Sequence, residues 1–278
     1  MISTRQKVMA VVRTVFIGAI AFFFIVPLIW MVLSSLKTTP EVFARPFYWF
    51  PKEFQWGNYL EVWINEEAPM FRSFINSLFI VVFSILGQLA IASFAAYAFA
   101  KVNFKGKNAI FLLFLSSMMI PAQVTIIPRF MLFKTIGLYN SLWAIILPAW
   151  FGATSIFMLR QFYMGLPDDL MEAAKIDGAG HFRIFLQIMM PLTKAALVSL
   201  LILSFISSWN EYLSPLIFLT KPENYTVSQI IRWYMQEESD PYELVMAAST
   251  ISLIPILILF VTCQKYFVEG IASSGVKG

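Results

Sequence analysis

Few residues in this chain are of types and spacings that could do chemistry. Asp168 and Asp169 are adjacent carboxylates, the raw material of a general acid–base pair. They follow Pro167 directly, and acids after a proline more simply favour the positive end of a helix that starts there. His181 and Cys263 are the only residues of their kinds, so neither an internal disulfide nor a structural zinc site can form. Gly178-Ala179-Gly180 is glycine-rich, but His181, Phe182 and Arg183 follow where a phosphate-cradling loop needs Lys and Ser or Thr. Glu211 differs from these. It is an acid within an otherwise uncharged apolar run, flanked by Trp209, Asn210 and Tyr212, and an intramembrane ionisable group is a functional candidate by default. Directional hydrogen bonds and flat aromatic faces are what hold a sugar, and this cluster offers both. Helix–helix hydrogen bonding is the competing role.

The elements that must position these groups follow from composition. Hydrophobic residues make up 59% of the 278 and charged residues 13%, against about 45–50% and 25% in soluble domains. That balance excludes a cytosolic enzyme, a disordered chain and a disulfide scaffold. The net charge of +4 could suggest nucleic acid, but the basic residues are scattered without a like-charged block, so no nucleic-acid role is expected. Runs free of Asp, Glu, Lys and Arg cover residues 14–36, 73–100, 108–128, 135–159 and 244–264; a sixth, 195–220, is interrupted only by Glu211. Each reaches the roughly 20 residues that cross a bilayer. With no water to satisfy exposed backbone, they must be helices. The expectation is an all-α membrane protein of six transmembrane helices. Pro121 and Pro128 should kink or end the third. The first run is too long for the apolar core of a signal peptide, and no small-x-small site follows, so it is expected to remain as an uncleaved helix.

Lys and Arg are more abundant on the side that holds Arg5, Lys7, Lys101, Lys105, Lys107, Arg160, Lys175, Arg183 and Lys265, which places both termini in the cytoplasm. The outer segment, 38–72, carries Phe43, Phe47, Tyr48, Trp49, Phe50, Phe54, Trp56, Tyr59 and Trp63. This is either an interfacial aromatic belt or a platform for an external partner. A second outer loop, 221–243, is rich in acids: Glu223, Glu237, Glu238, Asp240 and Glu243.

The inner loop, about 160–194, is the most informative. Pro167, Asp168 and Asp169 signal a helix start, Leu170, Met171, Ala173, Ala174 and Ile176 its body, and Gly178 and Gly180 its end. A second helix is expected over 181–190. A two-turn helix is marginal alone. The small Ala173–Ala174 surface suits one laid into a partner's groove, with a membrane-surface helix as the rival.

Here the sequence meets a known pattern. Glu172-Ala173-Ala174, then Gly178, Ile188, Met190 and Pro191, resembles the EAA signature of permease subunits in binding-protein-dependent ABC importers, with Met190 where the family usually has Leu. That swap is close in volume and hydrophobicity. Lys37-Thr38-Thr39-Pro40-Glu41, Trp209-Asn210-Glu211-Tyr212 and the Gly275–Gly278 ending look like the smaller membrane subunit of maltose-type carbohydrate importers, and the likeness covers nearly the whole chain.

The resemblance implies a type-1 ABC importer permease fold: an N-terminal part at 1–71, a core at 72–264 and a cytoplasmic tail at 265–278. It implies a multi-pass protein of the cell membrane, in lipid. The partners implied are a second, different permease, a homodimeric ABC ATPase that binds ATP and Mg, and an extracytoplasmic sugar-binding protein. Glu172, Ala173, Ala174, Asp177 and Gly178 would make the ATPase contact, and Trp209, Asn210, Glu211 and Tyr212 are candidates for the substrate pathway. The tail could lie between the ATPase subunits. No cofactor, metal or catalytic residue is expected in this chain. A polyol or glycerol phosphate is the alternative cargo. An ion-coupled secondary transporter is disfavoured because Glu211 is the one candidate coupling group and no clear internal repeat is seen. A membrane enzyme is disfavoured because no catalytic groups cluster in the spans, and a purely structural subunit is the last alternative.

Overall fold

The computed structural model describes residues 4–236 and 241–275, with side chains from 6–236 and 241–265. Glu237, Glu238, Asp240 and residues 276–278, and the side chains of the tail from 266, lie outside the described residues. In chain order the helices are α1 (Thr4–Ser34), α2 (Thr39–Val42), α3 (Gly57–Ile64), α4 (Met70–Lys101), α5 (Lys107–Ser117), α6 (Ala122–Thr135), α7 (Trp143–Ala149) and α8 (Ala153–Met164). They continue as α9 (Asp169–Ile176), α10 (His181–Ile184), α11 (Met190–Leu192), α12 (Lys194–Trp209), α13 (Leu213–Phe218), α14 (Val227–Tyr234) and α15 (Tyr242–Gly275). A π-helical stretch, Phe185–Met189, joins α10 to α11. No strand occurs among the described residues.

Four helical stretches are long and apolar enough to cross a membrane: Gln6–Ser34, Met70–Lys101, Trp143–Met164 and Tyr242–Lys265. Two bent pairs raise the number to six if each is one span: α5 with α6, at 94°, and His181–Leu192 with α12, at 74°. The run expected at 108–128 is therefore broken. Pro121 disfavours helical backbone at Ile120 and becomes the N-terminal cap of α6, whereas Pro128 sits inside that helix. The run expected at 135–159 starts later, because α6 continues to Thr135 and the chain then turns through Gly137 and Asn140, both at positive φ. The expected 195–220 run stops at Trp209 and resumes as α13 after Asn210–Tyr212, so Glu211 lies in a helix break rather than mid-helix.

The chain divides into two compact units. One comprises residues 1–71 and 230–254. Its tightest feature follows α1. Lys37 is fully buried, its ammonium donating to the Tyr48 carbonyl at 2.7 Å and lying over the Phe47 and Tyr48 rings. Burial pulls its pKa down, and Glu41 partly offsets this. Asn58 donates to the carbonyls of Ser35 and Lys37. Glu243, read as part of an acid-rich outer loop, is buried and accepts from Thr39 Oγ1 at 2.7 Å. Phe47, Trp49, Phe50, Phe54 and Trp56 remain exposed.

The second unit, 72–229 and 255–278, holds both regions singled out from the sequence. One of its cores joins α4 (Ala96, Tyr97), α8 (Leu159, Tyr163), α9 (Met171, Ala174), the π stretch (Phe185, Met189) and α12 (Ala196, Leu200). A second joins Ile80, Phe133, Ile145, Ile146, Phe218 and Leu219. Gly87 on α4 is a close-approach point: the Trp150 indole lies where a Cβ would stand, and its Nε1 donates to the Phe83 carbonyl at 3.0 Å. Gly87→Ala should therefore force the indole out and cost about 1–3 kcal/mol. The expected outcome is a lowered midpoint of thermal unfolding in detergent, with Trp150→Ala relieving part of the loss in the double variant.

Candidate functional site

The loop after α8 is built against the end of α4. Pro167 stands one residue ahead of Asp168, which caps α9 by position, but the Asp168 side chain makes no capping bond. Its carboxylate instead takes the Lys101 ammonium at 2.6 Å, and the same ammonium donates to the Leu166 carbonyl at 2.6 Å. The Lys101 side chain is only 4% exposed and that of Asp168 74%. The hydrogen bond and charge of Lys101 hold the Asp168 carboxyl below the usual carboxylate range, with Lys107 and Lys175 adding to the effect. Asp168 is thus a structural partner of α4 rather than half of an acid–base pair. A second tie comes from His181, whose Nδ1 lies 3.1 Å from the Tyr97 hydroxyl.

These ties and the burial of Met171 and Ala174 make α9 two-faced. Burying a Met contributes about 1.5–3 kcal/mol, which a two-turn helix requires. The opposite face carries Leu170, Ala173 and Ile176, all exposed, Ile176 by 87%. Glu172 is exposed beside them, and its carboxylate has no partner among the described residues. Ala174, expected on the docking surface, is therefore a core residue, and Ala173 alone of the pair faces out. Asp177 is exposed, and Gly178 ends the helix at φ +79°. A polar cleft of about 220 Å³ lies alongside, lined by Ala100, Lys101, Asn103, Asp168, Met171, Glu172 and Lys175.

The second region is a cavity of about 480 Å³ among α4, α6, α7, α8, α12 and the start of α13. Its polar lining is Ser84, Gln88, Arg129, Thr154, Ser155, Ser204, Ser207, Ser208, Glu211 and Ser214. Its apolar lining is Ile85, Ile145, Pro148, Ala149, Met158, Leu200 and Leu203.

The chain matches the family described as binding-protein-dependent transport system inner membrane component over residues 88–273. It belongs to that family. The permease is 33% identical to the arabinooligosaccharides transport system permease protein AraQ of Bacillus subtilis, over 99% of each chain. It is 34% identical to the protein of that name from Halalkalibacterium halodurans, over 95% of each. It is 33% identical to the sn-glycerol-3-phosphate transport system permease protein UgpE of Escherichia coli, over 89% of this chain and 90% of the other. A chain from the crystal structure of a bacterial ABC transporter involved in the import of the acidic polysaccharide alginate superposes with a TM-score of 0.82. It is 24% identical and covers 96% of this chain and 99% of its own. The fold is thus that of an ABC importer permease, and the protein is a multi-pass membrane protein.

Of the four residues grouped from the permease sequence around Glu211, the structure brings only one to the cavity. Glu211 lines it, and its Oε1 accepts from the Ser214 backbone N–H at 2.8 Å. Trp209 is 3% exposed, stacked on Phe205 and edge-on to Phe74, so it is a packing residue. Asn210 turns back to donate to the Ile206 carbonyl at 2.9 Å, ending α12. Tyr212 lies in the helix break and does not line the cavity. No aromatic ring lines the cavity among the described residues, so the expected stacking surface is missing. Sequence reasoning missed Arg129, which charge counting assigned to a loop, and it missed the serines. The available signal was Ser204, Ser207 and Ser208 on α12 and Ser84 with Gln88 on α4, at spacings that share a helix face.

The Lys101–Asp168 contact has a pH signature. A depressed carboxyl pKa means the tie is present above the ordinary carboxylate range and is lost as pH falls through the depressed value. Asp168→Asn at neutral pH should mimic acid. Faster amide exchange across α9 in the variant, and in the native permease only at strongly acidic pH or raised salt, is the expected result.

Proposed function

We propose that this permease forms half of the translocation pathway of an ATP-driven importer for a carbohydrate delivered by an extracytoplasmic binding protein. It pairs with a second, different permease. Both sit on a homodimeric ATPase that holds ATP and Mg, and this chain's termini are cytoplasmic. The observation that carries the reading is the two-faced α9. One side is fixed to the bundle, and the other offers Glu172, Ala173 and Ile176 to a partner, with Asp177 and Gly178 at its end. Such a helix is a lever that an ATPase can grip. The chain carries no nucleotide-binding loop of its own, which fits an engine supplied from outside.

The cycle follows from linkage. ATP can shift an inward-open to outward-open equilibrium only by its differential affinity for the two states. The shift reaches this chain as rigid-body motion of α9 and the helices attached to it. The cavity, with Glu211 in its wall, is this chain's part of the route; beside it Trp209 packs on Phe74 and Phe205, and Asn210 ends α12. Carbohydrate is favoured as cargo by the arabinooligosaccharide relatives and by the hydroxyl-rich lining. The glycerol-phosphate relatives keep a phosphorylated polyol as the second reading.

Glu172→Ala tests the coupling role. Leaving a partner charge unpaired at a desolvated contact costs about 2–5 kcal/mol. The variant should insert normally yet lose uptake at least about tenfold and release the ATPase in detergent pull-downs. Normal uptake together with normal ATPase recovery would refute the reading.

A further inference from the structure

The 480 Å³ cavity falls within the usual range of about 300–1,000 Å³ for small-molecule sites. Among its lining residues only Arg129 and Glu211 carry charge. They do not form an ion pair. Instead both are held through Ser214. Arg129 Nη2 donates to its hydroxyl at 3.3 Å, and its backbone N–H donates to Glu211 Oε1 at 2.8 Å. The guanidinium is further fixed over the Phe218 ring at 5.0 Å.

These facts describe a donor prong and an acceptor prong facing one space, with serine hydroxyls between them that can do either. A sugar hydroxyl can accept from Arg129 and donate to Glu211. A carboxylate or phosphate can only accept, so it satisfies Arg129 and is repelled by Glu211. We propose that Arg129 and Glu211 form a charge-balanced subsite in this chain for an uncharged polyhydroxyl unit, and that Glu211 is the residue that selects against anionic saccharides. This rests on the reading of the protein as a carbohydrate permease and narrows its cargo.

The test uses the full complex of both permeases and the ATPase in lipid nanodiscs, without the binding protein, so that the binding protein's own selectivity is bypassed. Saturation-transfer NMR compares galactose with galacturonate, two rings that differ only at C6, a hydroxymethyl group in one and a carboxylate in the other. The native complex should favour galactose. Glu211→Gln should shift the galacturonate-to-galactose ratio upward by about tenfold, the scale of removing one like-charge contact. Arg129→Gln should shift it downward. The Arg129→Gln/Glu211→Gln double variant, again charge-balanced, should return towards the native ratio. A purely structural pair would change total binding or complex yield without moving the ratio. An unmoved ratio in Glu211→Gln, or equal native binding of the two sugars, overturns the subsite. In parallel, ATP hydrolysis by the native complex with its binding protein is measured with arabinotriose, maltotriose and raffinose. Stimulation by any of these with an unmoved ratio rejects the subsite alone. Stimulation by none rejects the carbohydrate reading along with it.

Discussion

The Lys101 ammonium is the contact on which the α9 loop of this permease depends. It sits at the last residue of α4, almost wholly buried by side chain, and it must find acceptors because an unpaired buried charge is prohibitive. It finds the Leu166 carbonyl and the Asp168 carboxylate, both at the entry to α9. One cation thereby fixes where the loop leaves the bundle and where the short helix begins. Met171 and Ala174 then have a core to enter, and the Leu170–Ala173–Ile176 face is left outside as a consequence rather than by separate design. Tyr97 and His181 repeat the device one turn back along α4, at the start of α10.

A second constraint explains where the cavity lies. Irregular backbone at membrane depth is tolerated only where it is enclosed by protein or lines a polar space. Two of the chain's helix breaks meet at this cavity. Pro148, Ala149 and Thr154 bracket the junction of α7 and α8, and Glu211 with Ser214 brackets that of α12 and α13. The freed backbone is re-satisfied locally: Glu211 takes the Ser214 N–H, and Asn210 takes the Ile206 carbonyl. Gln88 meets Ser155 just past the first break. Glu211, which takes the freed Ser214 N–H at the second break, is therefore also one of the groups that make the cavity hydrophilic.

Much of this was legible in the chain because it rested on short-range chemistry. Charge-free length marked the helices, and Pro167-Asp168-Asp169 and Gly178 bounded α9. What was not legible depended on neighbours. Whether Ala173 or Ala174 faced inward needed the position of α4. Hydropathy sees a continuous apolar run across Pro121 and across Asn210–Tyr212, although the helix breaks at each. Arg129 looked like a loop charge because the count ended the span one residue earlier, at Pro128, which proved to be inside α6. Trp209 looked like a ligand platform because aromatics serve both packing and binding, and only the rings of Phe74 and Phe205 decide between them.

The two ends are connected by the same rigid parts. α4 supplies Tyr97 and Lys101 to the loop and Ser84 and Gln88 to the cavity, with Gln88 about 20 Å from Lys101 along the helix axis at 1.5 Å per residue. α12 does the same: Ala196 packs in the core that receives α9, Leu200 belongs to that core and to the cavity wall, and Ser204, Ser207 and Ser208 continue along the wall. A displacement imposed on α9 cannot be absorbed by the loop alone, because Met171 and Ala174 are embedded among α4, α8 and α12 in a close-packed interior of low compressibility. It must appear as motion of those helices, and they are the cavity's walls. Physical coupling requires an element with two arrangements that both sites bias. In the proposed cycle that element is the α4–α12 pair: α4 is tied to the loop through Lys101 and Tyr97, and both helices line the cavity with serines at the other end.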